Sequence, residues 1–133
     1  MKKEESLQIA VCNYLRLQYP NVIFTSEASG LKLTIGQAVK AKKLRSSRGL
    51  PDLIILEPKG IWYGLCLELK TVTPYKKNWT IKNDPHLKEQ SNLIDSLCML
   101  GYRATFVTGF DQAKEVIDDY MKDRDYTQTE KTF

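Results

Sequence analysis

The 133-residue chain is 42% hydrophobic and 27% charged, with a formal charge of +4, which describes one soluble globular domain large enough for a core of its own. No apolar run approaches the roughly 20 residues that cross a bilayer, and the start, Met1-Lys2-Lys3-Glu4-Glu5, lacks the apolar stretch of a signal peptide, so neither a membrane partner nor secretion is expected. Cys12, Cys66 and Cys98 are widely spaced among apolar neighbours and are expected to be small buried thiols of a reducing cytoplasm; with no CxxC pair and His86 as the only histidine, no zinc site is expected.

Leu7, Ala10, Val11, Tyr14 and Leu15 recur at helical spacing and predict a first helix over 3–18, stopped by Pro20. Val22 to Thr25 reads as a short strand, and Ser29-Gly30 breaks the chain. Thr34 is placed to cap a helix running to Leu44. Ser46 to Gly49 is a loop leading into an apolar run, Leu53 to Leu56, and a second run extends from Ile61 to Leu69. The tight turn Pro58-Lys59-Gly60 between them predicts a hairpin. Residues 72–85 have no period and read as a loop or flap. The exposed aromatics expected there, Tyr75 and Trp79, lie among lysines, and could either stack on bases or anchor the loop to the body.

Leu87, Leu93, Ile94, Leu97 and Leu100 form the stripe of a helix over 86–100, ended by Gly101. Tyr102 to Thr108 alternates as a strand, and Asp111 to Met121 is a last helix with Ala113, Val116, Ile117 and Tyr120 inward. The tail 122–133 is polar. A single domain over 1–133, with its core at about 4–121, is therefore expected. The element order implies an α/β fold with a mixed central sheet flanked by helices, in which the strand ending at Lys70 and the strand 102–108 form a parallel β-α-β unit.

The chemistry is concentrated where the apolar runs end. Asp52 opens one run, and Glu68-Leu69-Lys70 closes the other. Alternation along a strand puts Glu68 and Lys70 on one face and Leu67 and Leu69 on the other. Pairing of the two runs would bring Asp52, Glu68 and Lys70 together. Two hard oxygen ligands suit Mg²⁺, and an adjacent ammonium can hold a water or a phosphate. The same residues could instead be a turn aspartate and two solvated charges on a half-exposed strand.

Three other features bear on that site. No acidic residue occurs between Ala28 and Pro51, while Lys32, Lys40, Lys42, Lys43, Arg45 and Arg48 all fall there. A basic segment just before a carboxylate pair is what an enzyme acting on a polyanion requires; a solvated helix face is the alternative. Gln90 lies on the inward stripe of its helix, where a buried amide needs a hydrogen-bond partner. It can orient a water or contact a phosphate, or simply sit at the boundary. Glu4 precedes Leu7 and Gln8 by about one turn, and Glu5 is rotated toward Gln8 and Cys12. Either glutamate suits the positive end of the helix dipole, and Glu4 is the preferred third carboxylate.

Taken together, Glu4/Glu5 and Gln8, Gly49-Leu50-Pro51-Asp52-Leu53, Glu68-Leu69-Lys70 and Gln90 resemble the PD-(D/E)xK nuclease superfamily. More closely they resemble its VRR-NUC branch, the stand-alone virus-type replication-repair nuclease domain of phages and bacteria. The resemblance covers about residues 4–121. It implies a restriction-endonuclease-like three-layer core and a DNA endonuclease that uses Mg²⁺ or Mn²⁺ held by Asp52, Glu68 and the carbonyl of Leu69. It further implies that Lys70 stabilises charge on the phosphate and that Gln90 and Glu4 assist. From the acid-free window, Lys40, Lys42, Lys43, Arg45 and Arg48 are expected to contact DNA phosphates without reading sequence. A homodimer resolving Holliday-like junctions is expected. A monomeric flap or nick nuclease, or a non-catalytic nucleic-acid-binding module on the same fold, is the alternative.

Overall fold

The computed structural model describes residues 3–26, 34–44 and 49–122. Its elements, in chain order, are α1 (Lys3–Gln18), β1 (Phe24–Ser26), α2 (Ile35–Lys43), β2 (Leu53–Ile55), β3 (Leu65–Lys70), α3 (Pro85–Met99), β4 (Arg103–Thr108) and α4 (Gly109–Lys122). Lys32, Arg45, Arg48, the Ser29-Gly30 break and the tail from Asp123 lie outside the described residues.

The strands form one mixed sheet in the order β1-β2-β3-β4, antiparallel for the first two pairs and parallel for β3 and β4. The mixed sheet, its antiparallel pairing of the two apolar runs and its parallel β-α-β unit were expected from the sequence; the place of β1 beside β2 was not. The parallel pair is joined through α3, which a parallel connection needs because its strands cannot be linked by a tight turn.

Alternation along β3 divides the core in two. Leu65, Leu67 and Leu69 point to one face, where they pack with Leu53 and Ile55 of β2, Val107 of β4, Val11 and Leu15 of α1, and Ala113, Ile117 and Tyr120 of α4. Cys66 points to the other face, with Ala104 and Phe106 of β4 and Ile94 of α3. Each fully buried leucine or isoleucine contributes about 1.5–3 kcal/mol, so the thicker α1/α4 side carries most of the hydrophobic stabilisation. Tyr120, the largest fully buried side chain there, donates its hydroxyl to the carbonyl of Glu57. The α3 side is thinner: Ile94 is the only buried residue of α3, and Leu100, expected on the inward stripe, is exposed.

The expected helix boundaries hold within two residues, and two local signals explain them. Thr34 caps α2 with a complete capping box, its hydroxyl accepting from the Gln37 N–H and the Gln37 side chain accepting from the Thr34 N–H. Asp84 caps α3 by accepting from the N–H groups of His86 and Leu87, with Pro85 at the first helical position.

Three expectations are corrected. The run 61–69 is not one strand: Lys59 and Trp62 close a two-residue turn by exchanging backbone hydrogen bonds, and the Tyr63 N–H is drawn to the carbonyl of Gly101. Gly64 then lets the chain pass β2, since a Cβ there would lie 2.7 Å from the Ile55 carbonyl oxygen. Cys12 and Cys66 are buried as expected, but Cys98 is exposed at the edge of the shallow contact between α3 and the sheet, its thiol donating to the Ala104 carbonyl at 3.4 Å. Residues 74–82 are not irregular. A bridge between Tyr75 and Ile81, with the Lys76 N–H donating to the Thr80 carbonyl and the Lys82 N–H to the Pro74 carbonyl, makes them a small hairpin.

Candidate active site

The antiparallel register pairs Leu53 with Leu67. Continuing it by one residue sets Asp52 opposite Glu68, just past the end of β2. Directly opposed residues have Cβ atoms about 4.5–5.5 Å apart, so the two carboxylates meet on the α3 face of the sheet. Asp52 is fixed from both ends. One carboxylate oxygen, Oδ2, accepts the Leu69 N–H at 2.8 Å, and its carbonyl accepts the Ser26 hydroxyl at 2.8 Å. Pro51, fully buried, precedes it and fixes the backbone entering the site.

Glu68 is only 7% exposed, a rare position for a carboxylate unless it is paired. Its Oε1 accepts from Gln90 Nε2 at 2.9 Å. Burial first, then the charge and hydrogen bond of Asp52, push its pKa up to about 9, against the pull of Lys70. Lys70 follows on the same face, its Nζ 5.9 Å from the centre of the Phe106 ring.

The amide oxygen of Gln90, Oε1, is buried and has no hydrogen-bond partner in the protein. An orphaned acceptor of this kind costs about 1–3 kcal/mol and marks a site for a water or another donor.

The structure therefore brings together Asp52, Glu68, Lys70 and Gln90, and it joins Leu69 to Asp52 through its N–H. Glu4 is exposed, and Glu5, beside it, is half-buried. Among the described residues no group of three or more His, Cys, Asp or Glu side chains is arranged to hold a metal ion. The pair itself fits a divalent cation. Two hard carboxylates face one another, burial and the neighbouring Asp52 raise the Glu68 pKa in a way that a bound cation would offset, and an unpaired amide oxygen stands beside them.

The sequence reading did not single out Ser26. Its hydroxyl accepts from Gln8 Nε2 at 2.6 Å and donates to the Asp52 carbonyl, so it links α1 to the site. No sequence signal marked it, since the expected strand ended at Thr25 and its partner in the sheet was known only from the structure. Of the basic segment, Lys40, Lys42 and Lys43 lie on α2, which has no buried residue. That helix belongs to the connection between Ser26 and Leu53, which are paired at the Asp52 end of the sheet.

Such a sheet, with a carboxylate pair and a lysine at the end of its central strands, is consistent with an α/β nuclease-like fold. A solved structure described as a VRR_NUC domain protein matches it with a TM-score of 0.65 and 25% sequence identity, over 92% of this chain and 90% of that one. This likeness supports a VRR-NUC domain. No family model matches the sequence, and no curated protein does so significantly. Among the described residues, no helix is long and apolar enough to cross a membrane.

Proposed function

We propose that this chain is a DNA endonuclease that depends on Mg²⁺ or Mn²⁺, with Asp52 and Glu68 as metal ligands. The observation that carries this reading is the buried Glu68 carboxylate, opposed to Asp52 and clamped by Gln90. When bound, the metal ion polarises the scissile phosphate and acidifies the attacking water. Asp52 is pre-positioned by the Leu69 N–H and leaves one oxygen for the cation; the Leu69 carbonyl is the third ligand proposed. Lys70 stabilises negative charge developing on the phosphate. Gln90 fixes the Glu68 carboxylate through its amide N–H and offers Oε1 to the attacking water. An acid on the first turn of α1 completes the centre, for which Glu4 is the sequence candidate and half-buried Glu5 its neighbour.

Lys40, Lys42 and Lys43 on α2, with Arg45 and Arg48 of the same acid-free segment, hold DNA phosphates without reading sequence. An isolated helix of nine residues is marginal in water. An exposed basic helix such as α2 therefore gains most from a polyanion that covers it.

The substrate class is branched DNA. A four-way junction needs two symmetric cuts, which a C₂ homodimer supplies from two identical centres. Exposed Ile61, Tyr63, Met99 and Leu100 cluster in sequence around the start of β3 and the start of β4, away from the carboxylates, and provide apolar surface for such an interface. The deciding experiment incubates labelled junction, flap and duplex DNA with the protein in Mg²⁺, Mn²⁺ or EDTA and measures sedimentation in parallel. Paired nicks in the junction by a dimer are expected. A monomer that prefers single flaps would overturn the resolvase reading, and absence of metal-dependent cleavage on any DNA would overturn the nuclease.

A further inference from the structure

Trp79 is 79% exposed and has a backbone φ of 65°. Left-handed backbone is uncommon for any residue other than glycine and an outlier for a bulky one. Here it holds the largest side-chain type at the tip of a rigid support. Asn78 braces the turn by accepting from the Thr80 N–H and hydroxyl. Pro74 is fully buried at the base. Tyr75 and Ile81, which bridge the two arms, pack into the α3-side core. The two aromatics left open by the sequence thus divide their roles: Tyr75 anchors the hairpin, and Trp79 is presented to solvent.

The hairpin is joined to the site by a line of rings. Trp79 lies 6.1 Å from Tyr75 between ring centres, Tyr75 lies 6.1 Å from Phe106, and Phe106 lies 5.9 Å from Lys70 Nζ. Trp79 is therefore no more than about five or six nucleotide rises from the ammonium, at 3.4 Å per step along a strand. Lys76 and Lys77 are exposed beside it, and no acidic residue occurs from Leu69 to Asn83. A flat apolar ring flanked by cations and free of carboxylates is complementary to a nucleotide, which has a π-face for the ring and a phosphate for the lysines.

We propose that the 74–82 hairpin is a base-stacking element: Trp79 stacks on an unpaired base of the substrate while Lys76 and Lys77 hold the flanking phosphates. The inference rests on the nuclease reading above and deepens it, since stacking on an exposed base selects DNA with unpaired nucleotides near the scissile bond over uninterrupted duplex.

The test compares binding of a splayed junction with single-stranded arms and of a blunt duplex of equal nucleotide number, both in EDTA so that no cleavage occurs. Trp79→Asn removes the ring and installs a residue that tolerates left-handed backbone, so its fold is favoured; Trp79→Phe keeps a stacking face. Trp79→Asn is expected to weaken binding to the splayed DNA about five- to a hundredfold and to leave duplex affinity within about twofold, while Trp79→Phe retains most of the wild-type affinity. In a Trp62→Phe background, Trp79 is the one remaining tryptophan, and its fluorescence should be quenched by a single-stranded oligonucleotide but not by inorganic polyphosphate. Equal losses on both DNAs, no loss on either, or unquenched fluorescence would overturn the stacking role while wild-type binding and metal-dependent cleavage left the nuclease intact. A wild-type protein that bound no DNA would overturn both.

Discussion

Gln90 donates its amide Nε2–H to Oε1 of Glu68 at 2.9 Å, so α3, on one face of the sheet, holds the carboxylate of a strand inside it. The contact ties a helix to a strand 22 residues earlier in the chain. It leaves the oxygen of the same amide buried and unpaired. Removing Gln90 should therefore act through Glu68. Gln90→Ala is expected to lower cleavage about 10- to 100-fold, the usual effect of losing a group that orients a metal ligand, and to raise the Mn²⁺ concentration needed for half-maximal rate. An unchanged metal requirement would show that the amide has no part in positioning the acid.

Asp52→Asn, Glu68→Gln and Lys70→Met each remove one charge with little change of shape. Each is expected to lower the cleavage rate at least about 100-fold, with DNA binding largely retained. Single-turnover cleavage in Mg²⁺ beside a binding titration in EDTA separates the two effects. Wild-type rates in Lys70→Met would remove the lysine from the mechanism.

The metal-free protein should lose stability as pH rises. The folded state binds the Glu68 proton more tightly than the unfolded chain does, with a pKa of about 9 against an ordinary 4.5. The contribution is then complete below about 4.5 and disappears as pH climbs through about 9. Thermal unfolding in EDTA should show a falling midpoint across this range, flatter in Glu68→Gln. Added Mg²⁺ or Mn²⁺ should raise the midpoint most at the alkaline end, where Glu68 has given up its proton. A wild-type curve that matched Glu68→Gln throughout would contradict the buried proton.

Asp118 on α4 accepts the hydroxyls of Tyr14 and Tyr19, at 2.6 and 2.7 Å. It fastens α1 to α4 far from the carboxylate pair in sequence. Hydrogen bonds to a charged group are worth about 1.5–3 kcal/mol when sheltered and less where water competes, and this cluster is partly exposed. Asp118→Ala is expected to cost about 1–3 kcal/mol in urea unfolding and to leave the rate of the folded enzyme unchanged. A loss of cleavage without loss of stability would place the cluster in the function instead.

Neutralising Lys40 and Lys43 together should weaken DNA binding and flatten its salt dependence by about one to two counterions, with no change in which DNA structure is preferred. Titrations at several salt concentrations read the slope directly. An unaltered slope would make α2 a solvated face.

Much of this molecule was legible from local signals. Thr34 with Gln37 and Asp84 with Pro85 marked helix starts, because caps depend on residues within one turn. The alternation Leu65, Leu67, Leu69 against Cys66, Glu68, Lys70 determined which side chains share a face, because a strand has a period of two. The candidate site could be named from the same pattern. What the sequence left open were contacts between residues remote along the chain. Ser26 joins Gln8 to Asp52 only because the β1–β2 register sets Ser26 against Leu53. Cys98 is exposed, and Tyr75 buried more deeply than Trp79, because the α3 layer covers the sheet thinly and the hairpin packs over what remains. Helical and strand periods are properties of a few neighbouring residues. The depth at which a side chain lies, the partner it finds and the proton that Glu68 holds depend on how layers from distant segments close over one another, and tertiary packing alone decides them.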